Sequence, residues 1–162
     1  MSNRIACVII SIVAAGGSCQ GRCSRERSSD VDAFVRLPRK EQKMQFVYLD
    51  AAHQLSVAYG SYWNEPSDVW FVDRIAEETH LLPFLTERLE KSTDEGEIEM
   101  IAYILQHMSA RYVDVADRSP VLGILEGKAR AMRDEGLRYR VEAWTRQIRV
   151  SHDEIWSSNR PR

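Results

Sequence analysis

The sequence predicts an all-α domain, on three observations. From Met44 to Ile148 apolar residues recur at steps of three and four, the period of one helix face. A segment ending near Met108 has a counterpart 40 residues further on, with apolar positions and a turn triplet in register. No stretch alternates apolar and polar residues for long enough to make a half-buried strand.

The periodicity assigns the elements in order. Folding is expected to begin near Phe34. Pro38 sits at a plausible first turn, and Met44, Val47, Ala51, Leu55 and Ala58 continue one face until Gly60 closes the helix. "SYWNEPSDVW" reads as a loop, with Pro66 and Ser67 leading into a second helix that buries Val69, Val72, Ile75 and Ala76. Leu81, Leu82, Leu85 and Leu89 line a third helix, and Ile98, Ile101, Leu105 and Met108 a fourth, on either side of Asp94-Glu95-Gly96. In the second copy that triplet becomes Asp134-Glu135-Gly136, while Leu82, Leu85 and Ile101 become Leu122, Leu125 and Val141. Asp94 and Asp134 read as caps for the helices that follow them.

A helix–turn–helix unit at this spacing resembles HEAT-like α-helical repeat proteins, over roughly residues 81–150. The Asp-Pro turn and late Asp/Arg ladder of regular examples are missing. The resemblance therefore implies a short HEAT-like helical repeat bundle of about three helix pairs, with residues 34–80 supplying an irregular first pair. One amphipathic pair cannot hide its apolar stripe, whereas stacked pairs bury a shared core.

Ahead of this domain stands "RIACVIISIVAAGGSCQGRC". Arg4 gives a positive start, Ile5 to Ala15 is an apolar run interrupted only by Ser11, and small residues follow. A run of about 11 residues is too short to cross a ~30 Å hydrocarbon core but suits a secretory signal. Gly16-Gly17-Ser18-Cys19 is similar to the lipobox of bacterial lipoproteins, although Gly16 stands where an aliphatic residue is usual. That resemblance implies acylation of Cys19 and a stable membrane anchor. Two alternatives stay open: cleavage after Ala15 or Gly17 with a Cys19–Cys23 disulfide, or a buried N-terminal strand in a cytoplasmic protein. The expected organisation is a signal peptide at 1–18, a disordered, flexible tether at 19–33, the helical domain at 34–150 and a C-terminal tail at 151–162.

The length of 162 residues suits one domain, and 44% hydrophobic with 28% charged residues suits a globular one. A net charge of −2 argues against nucleic acid as a partner. All three cysteines lie within the first 23 residues, ahead of the expected fold. The four histidines share no metal-ligand spacing. An enzyme or metal site would have to be built from His53, His80 or His107 with carboxylates across helix pairs. Glu95, Glu97 and Glu99 read as solvated, which disfavours paired-carboxylate chemistry. No catalytic set and no cofactor motif emerges.

Charge and aromatics point instead to contact with another protein. Residues 65–99 hold eleven acidic against three basic side chains, and residues 127–149 seven basic against three acidic. This segregation makes either salt links across a seam between pairs or a basic strip, with Arg138 and Arg146, for an acidic partner. Tyr62 and Trp63 are the candidate exposed contacts, because aromatics near a loop are frequent interface anchors. The sequence thus predicts an exported, lipid-anchored helical domain, an adaptor or assembly factor whose protein partner is unknown.

Overall fold

The computed structural model describes residues 33–64 and 69–157. The expected leader, nearly all of the tether, Cys19, Pro66, Ser67 and the last five residues lie outside them. Residues 1–36 and 37–162 form separate units. Of the first, residues 33–35 are a helical turn. The second is helical, and no strand occurs among the described residues. The all-α class holds.

The single helix expected from Pro38 to Gly60 is broken in the middle. Helix α1 spans Arg39–Gln45 and passes into a 3-10 turn, Phe46–Tyr48. Leu49 is extended, and α2 then runs Ala51–Asn64, past Gly60. Asp50 starts the new helix: its carboxylate accepts from the His53 backbone N–H at 2.9 Å. The Gln54 side chain turns back to donate to the Phe46 carbonyl at 3.2 Å. Since the break resets the phase, Met44 and Val47 end up 56% and 41% exposed. Gln42 and Phe46 point inward in their place.

The remaining helices bury most of the residues their period marks, but Val69, Leu81 and Leu122, expected on inner faces, are only half-buried. Val69 and Leu81 precede their helices, and Val121 is buried where Leu122 was expected. Helix α3, Trp70–Glu77, buries Phe71, Val72, Ile75 and Ala76. Helix α4, Leu82–Lys91, starts with Pro83 in its first turn and buries Leu82, Leu85 and Leu89. Helix α5, Glu95–Arg111, is the hub and packs against α3, α4 and α8. Ile98, Met100, Ile101, Ala102, Ile104, Leu105 and Met108 are all buried along it, more than one helix stripe. A short α6, Val115–Arg118, leads to α7, Val121–Ala131, and α8, Glu135–Ser151.

The pairs α4–α5 and α7–α8 match at an offset of 40 residues. Helices α4 and α7 end at Lys91 and Ala131; α5 and α8 run Glu95–Arg111 and Glu135–Ser151. Asp94 and Asp134 cap them identically, accepting from Glu97 N–H and Leu137 N–H, each at 2.9 Å. The pairs also cap each other. Lys128 Nζ donates to the Glu90 and Ser92 carbonyls at the C-terminal end of α4, at 2.7 and 2.6 Å. The Glu95 carboxylate accepts from the Arg133 and Asp134 backbone N–H groups ahead of α8, at 2.8 and 3.0 Å. Helix ends leave backbone groups unsatisfied, and here the neighbouring pair satisfies several of them.

After α8 the chain makes a π turn, His152–Trp156. His152 Nδ1 lies 2.9 Å from both Asp114 oxygens, and Trp156 Nε1 donates to the Ser109 carbonyl at 2.8 Å. Asp134→Ala is expected to lower stability by about 1 kcal/mol in guanidinium unfolding. Asp94→Ala should cost more, because Asp94 also accepts from the Tyr59 hydroxyl.

Candidate functional site

Three helices bring one polar and aromatic cluster together. Tyr59, Tyr62 and Trp63 lie at i, i+3 and i+4 on α2; Glu99, Tyr103 and His107 follow one another by single turns on α5; Arg140 and Trp144 do so on α8. Such spacings put each set on one helix face. Gly96 permits the approach of α2, since a Cβ there would stand 3.1 Å from Tyr59 Oη and 3.3 Å from the Trp63 ring.

Glu99 is the centre, and it corrects the expectation that this residue is solvated. It is 0% exposed. Its Oε1 accepts from Tyr62 Oη at 2.9 Å, Arg140 Nε at 3.0 Å and Trp144 Nε1 at 3.2 Å, while buried Oε2 has no hydrogen-bond partner among the described residues. The alternation of Glu95, Glu97 and Glu99 misled, because helical residues two apart point about 200° apart. Each therefore has its own surroundings: Glu95 caps α8, and Glu97 binds Arg88 and Ser92. Burial, then the Glu99 charge, pushes the Tyr62 phenol well above its usual range, so it remains a donor.

The rings form a connected row. Tyr59 and Tyr62 stand edge-on to Trp63, with centroids 6.5 and 5.3 Å away. Tyr62 continues to Tyr103 at 5.6 Å, and Tyr103 to Trp144 at 5.2 Å and His107 at 4.2 Å. The Arg140 guanidinium lies 5.9 Å from the Trp63 centroid. Trp63 is 39% exposed and gives the row its outer end.

Beyond His107 opens a cleft of about 450 Å³, lined by Lys43, Trp70, Asp73, His107, Arg111 and Tyr112 among others. His107 Nδ1 is 2.9 Å from Asp73 Oδ1, but the two are poorly aligned for a hydrogen bond. Burial lowers the His107 pKa and outweighs the attraction of Asp73, with Arg111 adding repulsion. An imidazole so placed is mainly neutral at neutral pH.

The other sequence candidates are dispersed. His53 pairs with Asp50 at 2.7 Å, and His80 lies on the surface, 3.5 Å from Glu78. Thus His53, His80 and His107 each have a different carboxylate. Among the described residues no group of three His, Cys, Asp or Glu could hold a metal ion. Tyr62 and Trp63 fall together, but with Arg140. Arg138 is 3.7 Å from Glu135, and Arg146 lines a separate groove between α7 and α8. Sequence reasoning missed Glu99 and Arg140. The available signal was a lone carboxylate set among Ile98, Met100 and Ile101, and an Arg one turn before a Trp.

No family model, curated protein or solved structure matches this chain. No described helix is long and apolar enough to cross a membrane.

Arg140→Met removes one donor from a buried carboxylate and should cost about 1–3 kcal/mol in urea unfolding. Arg138→Met, which loses only a surface pair, should cost about 0–1 kcal/mol. The depressed His107 pKa means that the unfolded chain binds the proton more readily, so stability falls as pH drops through the unfolded value of 6.5. Thermal midpoints from pH 7.5 to 5 should show this loss, and His107→Gln should flatten it.

Proposed function

We propose that this chain is an exported HEAT-like helical protein, anchored to a membrane through a lipid on Cys19, that works by holding another protein. The observation that carries the binding part is the aromatic row from Trp63 to Trp144 across α2, α5 and α8, fixed from beneath by Glu99. Rigid aromatics lose little entropy on contact and make effective interface anchors. The 40-residue match of two helix pairs supports the HEAT-like part. The apolar run before Cys19 supports export and anchoring.

An adaptor or assembly factor is the role this reading favours. A second reading, a small-molecule site, has one observation in its favour: the cleft in which Asp73 and His107 face Lys43 and Arg111.

Intact-mass analysis of the protein from its native host tests the anchor. A lipid-modified mass starting at Cys19 is expected, and a full-length mass would remove export from the account. For the partner, Trp63→Ala should reduce co-purification of a stoichiometric protein at least tenfold. No such protein, with or without the substitution, would overturn the binding role.

A further inference from the structure

The two helix pairs allow one end of the molecule to be read against its middle. Several positions on α5 and α4 have counterparts 40 residues on whose chemistry differs. Ile98, Ala102, Leu105 and Ser109 of α5 are all buried. Their counterparts on α8 are Arg138, Glu142, Thr145 and Arg149. On α4, Thr86, Leu89 and Glu90 correspond to Glu126, Ala129 and Arg130 of α7. The face apolar in the first pair is therefore rimmed by charge in the second.

The face is open and indented. Glu126, Ala129, Arg130, Glu142, Thr145 and Arg146, with Arg149, line a groove of about 240 Å³. Its floor is Ala129 and Thr145, both buried, and the Thr145 hydroxyl is already bonded to the Val141 carbonyl. Its rim carries exposed Arg130, Arg146 and Arg149. Arg149 is engaged by Glu126, but neither Arg130 nor Arg146 has an ion-pair or hydrogen-bond partner among the described residues.

We propose that this groove between α7 and α8 is a docking surface for an acidic helical segment of another protein, which places one or two carboxylates against Arg130 and Arg146. It rests on the partner-binding role and names the chemistry of the partner. The seam inside the molecule supplies the precedent, because the acidic pair α4–α5 meets the basic pair α7–α8 there through Glu99 and Arg140. A further apolar pair seated here would bury two guanidiniums without partners, at high cost. The residues beyond 157 include Arg160 and Arg162, which have the wrong sign to fill the groove. A flat anionic membrane would meet Glu126 and Glu142 as well as the arginines, whereas a helix can interleave its carboxylates between them.

The test is a titration of the full chain, labelled with ¹⁵N, by a synthetic alanine-based helical peptide carrying Glu at i and i+4. A Gln-substituted peptide is the control, and phosphatidylserine vesicles form a parallel arm. The expected result is backbone amide shifts around Ala129–Arg130 and Thr145–Arg149. Binding should weaken roughly tenfold or more with the Gln peptide, at 0.3 M salt, or in R130E/R146E. R130Q/R146Q, a milder second variant, should lose part of the affinity, and Lys40→Gln, an exposed change on α1 away from the groove, none. Absence of binding, equal binding of both peptides, or indifference to the arginine changes would overturn the proposal. Vesicle binding through these arginines without peptide binding would overturn it in favour of a lipid surface. Shifts centred on Trp63 and Tyr103 would overturn the placement while leaving the partner-binding role standing.

Discussion

Helix α5 carries more apolar surface than any single neighbour can cover, and that constraint organises the domain. Its buried residues include Met100, Ile101, Ala102, Ile104 and Leu105, which spread around most of its circumference. A helix hydrophobic over so much of its surface is stable only inside other helices. Helices α3, α4 and α8 all pack against it. Near its start it also carries Glu99, a carboxylate that burial would penalise heavily without partners. Donors from α2 and α8 converge there, so the same helix that demands burial fixes the relative position of two others.

The aromatic row follows from this arrangement. Because Tyr62 and Trp144 both donate to Glu99, their rings are held at set angles and Tyr103 is caught between them. The aromatic row is thus a by-product of satisfying one buried oxygen. Glu99 Oε2, however, has no hydrogen-bond partner among the described residues. Buried polar atoms in that condition are uncommon in folded proteins.

How much of this was legible in the sequence depended on distance along the chain. Asp94 and Asp134 declared themselves because capping is local and the triplet recurs. The apolar faces of α4 and α5 were equally readable, since period decides them, while on α7 Val121 is buried rather than the expected Leu122. The break after Tyr48 was not. Met44, Val47 and Ala51 satisfy a helical step whether or not the helix is continuous, and the stop is made by Asp50 and Gln54 together. Glu99 was unreadable for a different reason: its partners lie 37, 41 and 45 residues away on two other helices. Charge segregation was visible, but its pairing was not, because Lys128 and Glu95 reach backbone groups rather than opposite charges.

Lys128 and Glu95 have one more consequence. Stacked repeats commonly peel apart unit by unit, each interface failing on its own. Here the turn of one pair is completed by a side chain of the other, in both directions, so neither can be withdrawn without stripping hydrogen bonds from the one that remains. Pulled from its two ends, this molecule should therefore give way in a single rupture rather than a staircase.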